Sequence, residues 1–268
     1  MTKAFDDKAR KEMIEQFNAE EFRYNDIPIR EMEVREISIK TARHYISTFH
    51  YSKTLPDSTL YAYAGYLGER LCGIVTYGMG AGKNQYTSVI PDIQNGQYAE
   101  LTRLWCVHDM PKNTESKLIS TSLKMLPKNI KLVISFADSS KQHAGIIYQA
   151  TNWYYLGKNG GGKVLVTNDG IVKHTRLLGI YKMRNPELKS KTNEEIMKIY
   201  GWKYEEAGSK HRYVYLRGSK REKKKMYKMI EERIQPYPKV DKTQRKNEEE
   251  IIEQEKERIK GEQLNLFI

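Results

Sequence analysis

Asp138 and Tyr148 are the residues whose type and spacing best suit proton transfer. Asp138 ends the run Leu132-Val133-Ile134-Ser135-Phe136-Ala137. A mainly apolar run of this kind reads as a fully buried strand, and α/β sheets place their sites at the C-terminal ends of such strands. A carboxylate there could act as a base, orient an amine or hold a metal; it could instead cap a following helix. Tyr148 comes within Ile146-Ile147-Tyr148-Gln149-Ala150, and a phenol beside a leaving group can serve as general acid. The alternative is packing on the sheet, in a chain with 19 tyrosines. Arg103 lies in Glu100-Leu101-Thr102-Arg103-Leu104-Trp105, where alternation puts Leu101, Arg103 and Trp105 on one face. An arginine in an apolar strand needs an anionic ligand or a structural partner such as Glu100 or Asp138. His50-Tyr51 closes a helical stretch and completes the set; a lone histidine is as readily structural.

These residues need a sheet to hold them. Residues 6–18 have helical apolar spacing, 31–39 read as a first strand, and 41–49 as a helix. Residues 60–67 and 71–77 flank Gly68-Glu69-Arg70 and form a hairpin. The stretch 78–98 contains four glycines and Pro91 and is expected to be a long mobile loop. A strand at 100–107 is followed by a helix at 116–126 that stops at Pro127. Then come the strand 132–136, a helix at 141–150 and a strand at 153–156. After the hinge Gly160-Gly161-Gly162, a second hairpin turns at Asn168-Asp169-Gly170. A short helix at 193–200 and a strand at 211–216 complete the series.

This order resembles an N-acetyltransferase fold, an α/β class with a mixed, splayed central sheet flanked by helices. The resemblance places an acyl thioester between two diverging parallel strands, here 100–107 and 131–136. Its pyrophosphate would meet the N-terminus of the next helix, where free amides and the helix dipole favour anions. The glycine-rich signature usual at that point is replaced by Pro111-Lys112-Asn113-Thr114-Glu115-Ser116-Lys117. Thr114 and Ser116 can donate hydroxyls, and Lys112 and Lys117 can neutralise phosphate. Glycines would allow closer backbone approach, and Glu115 suits phosphate only if it points away.

The chain carries a net charge of +12, with a pI near 9.4. Residues 241–268 carry −2, so the rest carries +14. Such a balance favours a polyanion partner, nucleic acid above all. The basic run 217–228 concentrates it, with Lys220, Arg221, Lys223, Lys224 and Lys225 as expected phosphate contacts. Tyr61, Tyr63, Tyr77 and Tyr86 offer rings for stacking on an extruded base, or for the core. Cys72 and Cys106 lie in apolar segments and read as buried free thiols of a cytoplasmic protein. No run of about 18 apolar residues suggests a membrane span.

Taken in order, His50-Tyr51, Arg103 in Glu-Leu-x-Arg-Leu-Trp, Ser116 in Asn-Thr-Glu-Ser, Asp138 in Ser-Phe-Ala-Asp and Tyr148 in Ile-Tyr-Gln-Ala resemble the phage Mom family. The resemblance covers roughly residues 32–157 and, more loosely, 211–216 and Pro236-Tyr237-Pro238-Lys239. It implies conversion of the exocyclic amine of adenine in DNA to a carbamoylmethyl derivative, which hides phage DNA from restriction in the bacterial cytoplasm. It also implies acetyl-CoA or another acyl carrier, such as an aminoacyl one, and bound iron. His50, Tyr51, Asp138 and His143 are the conceivable iron ligands. Two rivals remain: an acyltransferase acting on protein, RNA or a small amine, and a non-catalytic DNA-binding protein on a degenerate fold.

The expected organisation is an N-terminal helical segment (1–30), the catalytic domain (31–160), a DNA-contacting α/β extension (161–240) and a charged tether (241–268). The tether ends in Gln263-Leu264-Asn265-Leu266-Phe267, which resembles the short motif that docks bacterial DNA enzymes on the replication sliding clamp. Gln263 would bond a pocket rim while Leu264, Leu266 and Phe267 fill an apolar cleft.

Overall fold

The computed structural model describes residues 28–50, 52–80, 82–107, 110–138 and 144–239. The chain parts into two compact units, one of residues up to 135, 145–156 and 213–237, the other of residues 136–144, 157–212 and those after 237. The expected segment 1–30, mostly, and the tether lie outside the described residues.

The main sheet has seven strands: β1 Glu33–Glu36, β2 Thr59–Leu67, β3 Arg70–Gly78, β4 Tyr98–Cys106, β5 Leu132–Asp138, β6 Tyr154–Asn159 and β10 Lys210–Leu216. Their spatial order is β1-β2-β3-β4-β5-β10-β6. β1 to β4 are antiparallel neighbours, and β4 and β5 are parallel. The mixed, splayed α/β sheet read from the sequence is the one observed. The β2–β3 hairpin turns through Gly68 at φ +60°, a conformation that costs glycine little.

Helix α1, Ile39–Phe49, starts where the Ser38 side chain accepts from Thr41 N–H. Its Ala42 and Ile46 pack on Ala62, Ala64, Leu71 and Ile74 of one sheet face. A short helix α2, Asn84–Thr87, precedes β4. Helix α3, Thr114–Met125, buries Leu118, Ile119 and Leu123. It reaches the opposite face through a Ser122 to Tyr77 hydroxyl contact of 2.7 Å. Each such aliphatic side chain contributes about 1.5–3 kcal/mol on full burial, so the sheet is held from both sides.

The stretch 78–98 departs from the mobile loop expected. Tyr86, Val89, Ile90 and Ile93 are buried, and the Tyr86 ring stacks on Tyr98 with centroids 3.9 Å apart. Arg233 ties the segment down by donating to the carbonyls of Ser88 and Val89. The glycines marked turns, but the apolar residues between them fill the core. Tyr63, Tyr77 and Tyr86 are likewise core residues rather than a stacking surface; Tyr61 alone of that set is half-buried.

Helix α4 is short, Ile146–Ala150, and is followed by β6. The second unit contains a sheet of order β8-β7-β9, with β7 Lys163–Val166, β8 Val172–His174 and β9 Lys203–Glu206. Helices α5, Arg176–Arg184, and α6, Asn193–Tyr200, accompany it, around Leu165, Leu178, Leu188, Ile196 and Met197. The sequence reading found the β7–β8 hairpin and α6 but not α5 or β9. The extension is an insertion: the chain leaves the main sheet at β6 and returns as β10, between β5 and β6. The last described helix is α7, Lys220–Lys228.

Candidate active site

The parallel β4–β5 ladder is short. Tyr98 pairs with Leu132, Ala99 with Val133 and Glu100 with Ile134. Both strands continue, but their pairing ends there. Leu101 and Ser135 stand at the point of parting, where the Ser135 hydroxyl donates to the Leu101 carbonyl at 3.1 Å. The same hydroxyl donates to the Tyr148 oxygen at 2.8 Å. Tyr148 is buried and packs against Trp153 and Tyr213, with centroids 5.2 and 5.1 Å away.

Gly145 makes this placement of Tyr148 possible. It caps α4 in the left-handed region at φ +71°, and a Cβ there would meet the Tyr213 ring at 2.5 Å. The helix begins at Ile146, so the helix-capping reading of Asp138 does not hold for α4. Asp138 is the last residue of β5 and is partly exposed.

Arg103 and His50, 53 positions apart, are joined by one polar chain. Arg103 Nε donates to the Thr54 carbonyl at 2.9 Å and Nη1 to the Thr102 carbonyl at 2.6 Å. Ser52 Oγ donates to the same Thr54 carbonyl at 3.2 Å and lies 2.9 Å from His50 Nδ1. Ser52 N–H donates to His50 Nδ1 at 3.1 Å. A backbone N–H can only donate, so Nδ1 is an acceptor and the neutral ring carries its proton on Nε2. His50 is buried at the C-cap of α1. Ser52 and Thr54 were absent from the sequence-derived set: nothing in Ser52-Lys53-Thr54 signals a partner in β4. Tyr51 lies outside the described residues.

Arg103 shares its strand face with Trp105, which stacks on Phe49 of α1 at 5.0 Å and 14°. Tyr148 stands near Tyr77, whose hydroxyl meets Ser122 of α3. Arg103 and Tyr148 therefore lie on opposite faces of the sheet.

The N-terminus of α3 follows β4. Asn113 precedes it at φ +74° and makes the left-handed turn without a glycine, which Asn tolerates better than most residues. Thr114 is buried and its hydroxyl donates to the Pro111 carbonyl at 2.6 Å, so it braces this turn. Ser116 and Lys117 are half-buried and Lys112 is exposed. Glu115 lies close enough to Cys106 to add to the upward push that burial gives that thiol. Burial likewise pushes the Cys72 thiol up to about 11. Both cysteines are free, Cys72 buried and Cys106 partly so, and both are poor nucleophiles at neutral pH.

Lys220, Arg221, Lys223, Lys224 and Lys225 are all exposed on α7. Ser219 and Glu222 form a capping box at its start, and Glu222 also meets Lys131 at 2.9 Å. Those contacts hold the Glu222 carboxyl down at about 2. Arg217, though within the basic run, serves the interior. Its guanidinium donates to the carbonyls of Leu126, Pro127 and Ile130 at 2.7–2.9 Å.

Among the described residues, no group of three His, Cys, Asp or Glu side chains is placed to hold a metal ion. The iron set expected from His50, Tyr51, Asp138 and His143 is not assembled by these residues; Tyr51 and His143 lie outside them. His50 Nδ1 is already engaged by Ser52. The clamp-like residues Gln263, Leu264, Leu266 and Phe267 also lie outside. Among the described residues no helix is long and apolar enough to cross a membrane.

The chain is 9% identical to a spermidine N-acetyltransferase from Vibrio cholerae solved with CoA and spermine, covering 70% of this chain and 96% of that one at a TM-score of 0.37. An N-acetyltransferase from Staphylococcus aureus Mu50 matches at 13% identity, 69% and 97% coverage and a TM-score of 0.38. The methylcarbamoylase mom of Escherichia phage Mu is 30% identical over 222 residues, 78% of this chain and 85% of that protein. The model of the Mom protein family matches residues 31–239, and with that relative it establishes that this chain belongs to the Mom protein family.

Proposed function

We propose that the protein modifies adenine in DNA, converting the exocyclic amine to a carbamoylmethyl derivative and so protecting phage DNA from restriction. The observation that carries the reading is the parting of β4 from β5 after three paired positions, beside the buried Tyr148 hydroxyl. Membership of the Mom family supports the choice of DNA as acceptor.

Acetyl transfer alone would leave an acetyl group, so the carrier, when bound, would have to supply an activated two-carbon unit that also brings the nitrogen, as an aminoacyl carrier does. The first-turn amides of α3, with Ser116, Lys112 and Lys117, would hold its phosphates. Thr114 contributes by shaping the turn. Tyr148 holds the proton that the leaving group takes, and Asp138 receives one from the adenine amine. The His50–Ser52–Thr54–Arg103 chain holds a cation at the gap, where negative charge develops. A glycyl carrier would bring the right atoms, and the glycyl amide formed by transfer through its carbonyl must then rearrange, its N–carbonyl bond giving way to an N–CH2 bond, to become the isomeric carbamoylmethyl group.

An enzyme of this kind must take the base out of the stack or find it single-stranded. The exposed cations of α7 would grip the phosphates. The terminal Gln263–Phe267 segment would dock on the sliding clamp, the charged tether raising the local concentration of enzyme on DNA.

The test is nucleoside analysis of DNA from cells expressing the chain, by chromatography and mass spectrometry with fragmentation to separate isomers. A modified deoxyadenosine is expected. Asp138→Asn and Arg103→Ala should each abolish it while circular dichroism stays unchanged. Unmodified DNA in the presence of folded protein would overturn the reading.

A further inference from the structure

Residues 157–212 hold twelve Lys and Arg against six Asp and Glu, a net +6. At the tip of their β7–β8 hairpin stand two apolar residues, Ile171, 47% exposed, and Val172, 60% exposed. The tip is built to hold its shape. Gly170 turns at φ +76°, its N–H donates to the Thr167 carbonyl at 2.9 Å, and the Thr167 N–H donates to the Ile171 carbonyl at 3.0 Å. The Thr167 hydroxyl donates to the Asp169 carboxylate, and this bond, with those from the amides of Asp169 and Ile171, holds that carboxyl below its usual range. The one acidic group of the turn is thus engaged by the turn's own donors. Gly201 ends α6 at φ +65°, and a Cβ there would lie 2.4 Å from Asn168 Oδ1, so the turn is seated against the end of that helix.

Two exposed aliphatic side chains on a fixed tip neither neutralise a phosphate nor bond a base edge. Their gain comes from burial alone. Both are β-branched and stiff at χ1, so they lose little freedom on insertion. Cations stand close by in the chain: Lys173 follows Val172 directly, Lys198 precedes Gly201 by three residues, and both are exposed. Charge of this sign selects a polyanion. On duplex DNA the apolar surface lies between the base pairs, and proteins reach it by inserting such side chains and unstacking a step.

We propose that the β7–β8 tip is a wedge that inserts Ile171 and Val172 into the base stack of duplex DNA and opens the step from which a base is extruded. The inference rests on the reading of DNA as acceptor given above and adds the means of opening the duplex, which an enzyme working on a paired base must have. No covalent bond changes in this step. The aliphatic pair takes over the stacking contact that the extruded base gives up.

The intact protein is mixed with plasmid DNA in the absence of any donor, and unstacked thymines are read by permanganate oxidation, which requires no knowledge of the preferred sequence. Wild type should raise thymine reactivity where it binds. Ile171→Ala with Val172→Ala should lower that signal about tenfold, because truncation removes the groups that replace the lost stacking; Ile171→Val should keep most of it. Both side chains are exposed, so thermal unfolding of the variants should match wild type. Val172→Lys separates a wedge from a phosphate contact: it should tighten binding in a gel-shift titration and still lose the signal.

Equal reactivity with wild type and the double alanine variant would overturn the proposal, as would no induced reactivity at saturating protein. A tip-dependent change in oligomeric state on sedimentation, with reactivity unchanged, would make the tip a protein contact and overturn it as well. Nucleoside analysis of DNA from expressing cells keeps the two readings apart. If no modified deoxyadenosine forms but the reactivity depends on the tip, the modification reading fails and the wedge stands. If the nucleoside forms and the reactivity ignores the tip, the wedge fails and that reading stands.

Discussion

Among the described residues, two buried tyrosine hydroxyls each meet a serine that also donates to a main-chain carbonyl. In the closed core, Ser122 donates to the Ile119 carbonyl at 3.1 Å, which leaves Tyr77 as donor to Ser122 at 2.7 Å. That phenol proton is committed, and burial pushes its ionisation far up. Where β4 and β5 part, Ser135 reaches both the Leu101 carbonyl at 3.1 Å and the Tyr148 oxygen at 2.8 Å. The arginines divide the same way. Arg217, at the closed end of the β4–β5 pair, gives its guanidinium to three carbonyls around the end of α3. Arg103, beyond the ladder, donates to the carbonyls of Thr54 and Thr102. Residue type does not separate the two settings; position relative to the end of the ladder does.

The sharpest way to break the comparison is Tyr148→Phe. It should lower the modification rate by about 10²–10⁴-fold, the usual share of a positioned proton donor. Nucleoside analysis reads the rate, and thermal unfolding should show little change. A large loss of stability with modest loss of rate would make the two tyrosines equivalent. Arg217→Ala is the converse. It strips three charge-assisted bonds from carbonyls that gain no new donor, at a cost of about 2–4 kcal/mol. A midpoint lower by roughly 5–12 °C is expected, with the rate per folded molecule retained.

The third test separates DNA grip from chemistry. Helix α7 begins beside Lys131, about 13 Å along β5 from Ser135 at ~3.3 Å per residue. Reversing Lys223, Lys224 and Lys225 to Glu should weaken DNA binding without sequence preference. The log–log salt slope should flatten by about one unit for each phosphate that is no longer neutralised, and kcat should hold. An unchanged slope would assign the run to solubility. The smallest effect belongs to Tyr77→Phe: about 1 kcal/mol for one hydrogen bond, read by denaturant unfolding, with the rate unaltered.

Much of this arrangement is legible in the residues, for identifiable reasons. The run Leu132–Ala137 could only be a buried strand, and Gly68 and Asn168-Asp169-Gly170 mark two hairpins through local backbone preference, whereas the cap at Ser38 falls in a stretch that reads as part of a strand. The glycines of 78–98 mislead because they report turns and carry no information about the buried residues between them. The segment 141–150 reads as one helix, whereas α4 begins at Ile146, after the left-handed Gly145.

By itself the sequence determined the elements, the candidate proton carriers and the charge that favours a polyanion, because apolar spacing, turn chemistry and composition act over a few residues. Only the tertiary structure decided which strand returns to which sheet. The alternation in β10 is equally compatible with either sheet, and its place between β5 and β6 depends on contacts with residues far along the chain. Tertiary structure also decided where β4 and β5 part, and hence that Ser135 lies between Leu101 and Tyr148. Hydrogen-bond direction depends on where acceptors converge in space, and no spacing along the chain encodes that.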